Sequence, residues 1–159
     1  MLLPKRMSTE QDISTIYPKI VKYCAYQERS QQEVRDKLYD LGLHKREVEQ
    51  TISLLIGDGY LNEERFAITY AGGKFRIKQW GKIKIKYALK QKSISDYCIK
   101  KALSQIRDVD YLKTLQAVIN SYSKKVKEKD QRKRNYKIAQ YAISRGFESD
   151  LVWEALKVE

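Results

Sequence analysis

Residues 82–87 read KIKIKY, and the fold turns on whether that run is a strand or a helix. Lysine and an apolar residue alternate with the period of two that sends successive side chains to opposite faces of a strand. A longer pattern decides against it. Adding 51 to the numbers of Val34, Leu38, Gly42, Leu43, Val48 and Ile52 gives Ile85, Leu89, Ser93, Ile94, Ile99 and Leu103. Adding 53 more gives Ile138, Ala142, Gly146, Phe147, Val152 and Leu156. Five matched positions are apolar in all three copies, and the sixth carries Gly, Ser and Gly. Self-similarity at a fixed spacing makes each copy one supersecondary unit, so KIKIKY takes the structure of its counterparts.

In the first copy that structure is helical. Val34, Leu38 and Leu41, then Val48, Thr51, Ile52 and Leu55, recur at three and four residues. Ser30 and Glu33 form an S-x-x-E capping box that opens one helix, and Gly42 can adopt the left-handed conformation that closes it. The spacing predicts helices over Gln31–Leu41 and Lys45–Ile56 joined by a tight turn, and places Ile85, Ala88 and Leu89 on the core side of a helix over Lys82–Lys92. Another helical segment precedes each pair: Ile13–Ala25, Glu63 to about Lys78, and Tyr111 to about Lys127. With seven glycines and two prolines in 159 residues, little interrupts them. The expected fold is all-α: three tandem three-helix, helix-turn-helix-like repeats in an elongated, curved array. The repeats cover 13–60, 61–107 and 108–159, after a flexible N-terminus over 1–12.

The net charge of +12 is local. Residues 1–60 hold nine Lys or Arg and nine Asp or Glu, whereas 74–92 contribute +8 with no acid and 124–137 contribute +6. Two concentrated basic segments on a balanced chain point to a polyanionic partner. Along the helix, Lys82, Lys86 and Lys90 form a ridge beside the apolar stripe, and lysines four residues apart repel by about a few tenths of a kcal/mol per pair, which a polyanion would relieve. The candidate binding residues are Lys74, Arg76, Lys78, Lys82, Lys84, Lys86 and Lys90, then Lys124, Lys125, Arg132, Lys133 and Arg134. Trp80, between Lys78 and Lys82 in sequence, is a candidate for stacking on a base or on a partner side chain.

Other classes fit less well. The opening residues lack the apolar core and small-residue cleavage site of a signal peptide, and no stretch approaches the roughly 18 apolar residues of a membrane span, so the expected location is the cytoplasm. Cys24 and Cys98 form no CxxC and share a single histidine, His44; both read as buried thiols, and neither metal nor cofactor is expected. Gly72-Gly73-Lys74 has neither the G-x-x-x-x-G-K spacing nor the preceding strand of a phosphate loop, and no nucleophile, base and orienting group are implied, so the chain reads as a non-enzyme. A helix-turn-helix DNA reader would insert its last helix into the major groove, but those helices carry Glu47 and Glu49, Asp96, and Glu148, Asp150 and Glu154. Lysine also outnumbers each of the Arg, Asn and Gln that make bidentate base contacts, which suits phosphate attraction without sequence reading.

Three stretches carry a resemblance: GDGYLNEERFAITYAGGKFR at 57–76, GKIKIKYALKQKSI at 81–94, and SRGFESDLVWEAL at 144–156. In this order they resemble the RecX family of RecA regulators, over most of the chain from about Lys22 to Leu156. The resemblance implies a non-enzymatic protein that binds the RecA filament on DNA, lies in its groove across neighbouring subunits, and restrains ATP hydrolysis, strand exchange and co-protease activity in recombination, DNA repair and the SOS response. It implies contact with single- or double-stranded DNA without strong sequence preference, no membrane, and a monomer when unbound. Gly59, Tyr60, Leu61, Arg65, Phe66, Ala67, Gly146 and Phe147 match the family motif and read as turns, caps and interunit packing. Arg65 and Arg145 either pair with a neighbouring carboxylate or face the partner. A nucleic-acid-binding protein without sequence preference, or a helix-turn-helix DNA-binding regulator independent of RecA, stays open as the alternative.

Overall fold

The computed structural model of this protein describes residues 9–157, with side chains from Ile13 onward. Of the segment expected to be flexible, residues 1–8 lie outside the described residues, and the first helix already begins at Thr9. The described residues form nine α-helices and no strand: α1 (Thr9–Tyr26), α2 (Gln31–Asp40), α3 (Lys45–Gly57), α4 (Glu63–Arg76), α5 (Lys82–Gln91), α6 (Asp96–Ser104), α7 (Asp108–Ser123), α8 (Gln131–Ser144) and α9 (Ser149–Lys157). KIKIKY is the first six residues of α5, as the repeat requires.

Each repeat closes its middle helix in the same way. The Gly42 N–H bonds to the Tyr39 carbonyl at 2.9 Å, and the Leu43 N–H reaches back to Leu38 at 3.2 Å. The same pair recurs at Ser93→Lys90 (3.0 Å) with Ile94→Leu89 (3.2 Å), and at Gly146→Ile143 (2.9 Å) with Phe147→Ala142 (3.3 Å). This bond pattern forces a left-handed residue just past the helix end, and φ is 98° at Gly42, 62° at Ser93 and 102° at Gly146. Serine therefore occupies a conformation that costs an L-residue about 1–2 kcal/mol, because the turn's two hydrogen bonds and the burial of Ile94 hold it there.

Helix starts are capped as their residues dictate. The Ser30 hydroxyl accepts from the Glu33 N–H at 3.1 Å, the Asn62 carbonyl oxygen from Arg65 at 2.8 Å, Ser95 from Cys98 at 3.3 Å, and Asp130 from Lys133 at 3.0 Å. Each satisfies one amide that the helix itself leaves open.

By compactness the chain divides into Met1–Phe66 and Ala67–Glu159, with the division inside α4. In the first unit, Ile16, Ile20 and Cys24 of α1 pack with Val34 and Leu38 of α2, Leu43 of the turn, Val48, Ile52 and Leu55 of α3, and Leu61. Burial of a side chain of this size contributes about 1.5–3 kcal/mol. Two side-chain ties brace this unit. Arg35 binds Glu49 at 2.8 Å, which lowers the Glu49 pKa, and Tyr17 donates to Asp58; burial, then that bond, push the Tyr17 phenol up to about 12.

In the second unit all six matched repeat positions of α8 to α9 are buried, while in α5 to α6 Leu103 is only half-buried because it lines a groove. Phe75 of α4, Tyr111 of α7 and Phe147 stack in sequence, with ring centroids 5.9 Å and 5.2 Å apart. Backbone meets backbone beside them. The Gly81 N–H donates to the Arg145 carbonyl at 2.8 Å, Ile83 to Gly146 at 3.0 Å, and the Lys82 N–H to the Tyr111 hydroxyl at 2.9 Å. Tyr111 in turn donates to Glu148, and its buried phenol is pushed far above its ordinary range by desolvation and by that carboxylate. The opening amides of α5 are thus satisfied by the third repeat instead of by a cap of their own.

Candidate functional site

The basic run of 74–92 begins in the last turns of α4, crosses a tight turn and continues through α5. The turn exists because Gln79 adopts a left-handed φ of 55°, with its N–H on the Phe75 carbonyl at 3.1 Å and the Trp80 N–H on Lys74 at 3.1 Å. That reversal returns Trp80 toward the helix it has just left. The Lys74 ammonium stands 4.9 Å from the Trp80 ring centroid and the Lys84 ammonium 4.6 Å from it. Lys74 also lies 5.4 Å from the Tyr70 centroid, and Lys92 5.6 Å from the same ring. Three lysines and two aromatic rings therefore form one connected cluster, with the lysines close enough to each ring for cation–π attraction.

The candidate lysines do not share a single ridge. At 100° per residue, the expected ridge of Lys82, Lys86 and Lys90 falls on one flank of the Ile85–Leu89 stripe and Lys84 on the other. Lys86 and Lys90 line a groove of about 300 Å³ with Lys100, Asp96, Ile99 and Leu103, and Lys90 reaches Asp96 at 3.9 Å. Lys82 places its ammonium 4.8 Å from the centroid of the Tyr111 ring. Arg76 folds back over Gly72 and lines a larger cleft, about 600 Å³, with Ile68, Phe75, Ile106, Arg107 and Lys113. Lys78 is exposed, and its carbonyl accepts from Arg145. Trp80 has Lys74 and Lys84 at its ring, one from each of the helices that flank the reversal.

In the second basic segment Lys124, Lys125, Arg132 and Lys133 are exposed. Arg134 is half-buried and donates to the Val126 carbonyl at 2.7 Å and to the Ser123 carbonyl, so it closes the end of α7. Both ambiguous arginines are also engaged: Arg65 binds Glu28 and donates to the Gly59 carbonyl at 3.1 Å, and Arg145 donates to Lys78. Of the acids expected to repel DNA, Glu47 is buried, Glu49 is paired with Arg35, and Glu148 accepts from Tyr111. The repulsion therefore rests on Asp150 and Glu154, both exposed, and on Asp96, which is exposed but lies 3.9 Å from Lys90.

Tyr70, Lys92 and Lys100 were missing from the candidate residues. Tyr70 at four residues before Lys74 is a spacing that sequence offers, but its pairing with Lys92 depends on the reversal at Gln79. Cys24 and Cys98 are buried thiols, as expected, and His44 is an exposed residue preceding α3 that makes no side-chain cap. No cluster of potential metal ligands occurs among the described residues, and none of their helices is long and apolar enough to cross a membrane.

Comparison with known proteins gives one consistent result. Models of the first, second and third three-helix domains of RecX match residues 17–55, 62–103 and 108–156. The regulatory protein RecX of Clostridium acetobutylicum is 30% identical over 135 residues, covering 81% of this chain and 61% of the relative. That of Prosthecochloris aestuarii is 27% identical over 150 residues, covering 93% of this chain and 95% of the relative. The chain thus spans about three-fifths of the clostridial relative's length and nearly all of the other's. The crystal structure of RecX from Lactobacillus salivarius superposes with a TM-score of 0.86 at 26% identity, covering 94% of this chain and 97% of that one.

Proposed function

The chain belongs to the RecX family, and from that premise we propose that it regulates the RecA recombinase by binding the RecA filament on DNA and restraining its ATP hydrolysis, strand exchange and co-protease activity. The observation that carries this reading is the match of all three RecX domains in order, on a chain whose second domain gathers the largest run of uncompensated positive charge. Action by binding is supported by the site itself, which offers ammonium groups, apolar grooves and aromatic rings. Basic residues at α4–α5 and around the α7–α8 junction, lysines more than arginines, supply two separated points of attraction for a repeating polyanion or an acidic filament surface. The protein is expected to work in the cytoplasm and to be monomeric before it binds.

The deciding assay is ATP hydrolysis by RecA on single-stranded DNA, titrated with this protein. Progressive slowing at stoichiometric amounts is expected. No effect at excess protein, with DNA binding retained, would replace this reading by a nucleic-acid binder that acts without RecA. A binding-site selection that returned one strong consensus would instead favour the helix-turn-helix regulator.

A further inference from the structure

We propose that Trp80 and Tyr70 are positioning residues of a phosphate-binding site, their ring faces holding the ammonium groups of Lys74, Lys84 and Lys92 as a preformed array for the backbone of single-stranded nucleic acid. The inference rests on the regulatory reading above and deepens it by assigning this cluster to DNA.

The geometry links three elements. Tyr70 and Lys74 lie on α4, Trp80 in the reversal, Lys84 in the first turn of α5, and Lys92 at the C-cap that ends that helix. The lysines alternate with the rings in the order Lys92, Tyr70, Lys74, Trp80, Lys84, at ammonium-to-centroid distances of 5.6, 5.4, 4.9 and 4.6 Å. Like charges brought together repel, and the negative faces of the rings offset part of that repulsion. At Lys74 and Lys84 an ammonium resting on a ring uses one side of a group with three donors, so N–H bonds remain there for an anion that removes the rest of the repulsion.

The rings also change when ordering occurs. A lysine in solution loses rotamer freedom when it grips a ligand, whereas one already resting on an aromatic face has lost part of it on folding, which favours binding. Trp80 has two lysines at its ring, so it acts through them and not by stacking on a base. The ligand class follows from the donors. Lysine serves phosphate as a point charge and needs no planar fork to do so. The cluster also sits in a segment of +8 without an acid, where neutralising a polyanion gains from counterion release.

The test is fluorescence anisotropy of a 5′-fluorescein-labelled, mixed-sequence single-stranded oligonucleotide with the full chain at several salt concentrations. Trp80→Leu keeps apolar bulk and net charge but removes the π face. It should weaken binding about ten-fold and make the log–log salt slope shallower by roughly 0.7 to 1.4, the loss of one or two phosphates. Trp80→Phe should restore binding to within about two-fold, since it returns a ring face. Circular dichroism checks each fold, and if Trp80→Leu loses its helical signal, Tyr70→Leu tests the same array from the other ring. Wild-type affinity and slope in a folded Trp80→Leu would overturn the proposal. So would weakened RecA-filament binding with intact oligonucleotide binding, which would give the array to a protein surface. A wild-type chain that slows RecA but does not bind the oligonucleotide would overturn the phosphate site and leave the regulatory reading standing.

Discussion

Replacing Gly81 by alanine asks how much one methyl group can cost when it is aimed at backbone. Gly81 has an ordinary φ of −76°, so alanine meets no conformational strain of its own. Its Cβ, however, would lie 2.2 Å from the Gly146 carbonyl carbon and 2.3 Å from the Phe147 nitrogen, atoms that cannot rotate aside. The start of α5 must therefore move off the turn between α8 and α9. Overpacking of this kind costs about 1–3 kcal/mol. The displacement also stretches the Gly81–Arg145 and Ile83–Gly146 hydrogen bonds, at roughly 0.5–1.5 kcal/mol each. We expect a loss of about 3–5 kcal/mol, a large share of the 5–15 kcal/mol typical of a whole domain. Gly42→Ala is the control: it is the first repeat's counterpart of Gly146, with φ of 98° and nothing within 4 Å of its Cβ, so only the strain of about 1–2 kcal/mol applies. Urea denaturation followed by circular dichroism measures both, and hydrogen exchange at Ile83 localises the effect. If Gly81→Ala costs no more than Gly42→Ala and leaves the Ile83 amide protected, the backbone contact does not hold these repeats together and the reasoning fails.

Changing Lys84, Lys86 and Lys90 together to Glu should weaken filament binding strongly, changing Lys125, Arg132 and Lys133 should weaken it less, and the six-site variant should not co-sediment with RecA filaments at moderate salt, because linked contacts lose their shared effective concentration. Wild-type co-sedimentation by a folded six-site variant would mean that these charges are only a solvated face. Arg134→Ala should lower stability by about 1.5–3 kcal/mol through its two carbonyl bonds, while exposed Arg132→Ala stays within about 0.5 kcal/mol; equal melting temperatures would show that Arg134 does not close α7. The Tyr17 phenol is raised from 10.0 to about 12, so the stability it contributes is fully present below pH 10 and is lost as pH rises toward 12. Melting temperatures of wild type and Tyr17→Phe should therefore converge across that window, and a constant difference would show that Tyr17 does not titrate there.

Local chemistry was legible wherever it repeats. The match of Ile85 to Val34 and Ile138 overruled the alternation of KIKIKY, and the Gly, Ser, Gly turn was visible as a register before any φ was known. Ser30 declared its helix through Glu33. What stayed hidden depended on contacts across the repeat or on a single unusual dihedral. Gly81 reads as an unremarkable helix start, and nothing near it in sequence points to Gly146, 65 residues away. Arg134 sits in QRKRNYK, where composition suggests a uniformly solvated charge run, yet its guanidinium is taken up by two carbonyls. Lys74 and Lys84 are ten residues apart, a separation with no helical meaning, and only the left-handed Gln79 brings them to the same ring. Charge could be counted from the sequence; its direction could not.

The trans-satisfied start of α5 also bears on how such an array can grow or shrink. A solenoid built of self-sufficient cassettes can lose or gain one at its end with little consequence beyond a new cap. Here the second repeat cannot serve as a terminus as it stands. Cutting the chain after Arg107 would leave the amides of Gly81, Lys82 and Ile83 without their acceptors and bare the surface of Phe75 that Tyr111 covers. The two repeats are therefore inherited as a pair, and variation in length is expected on the outer side of either repeat, not at the joint between them.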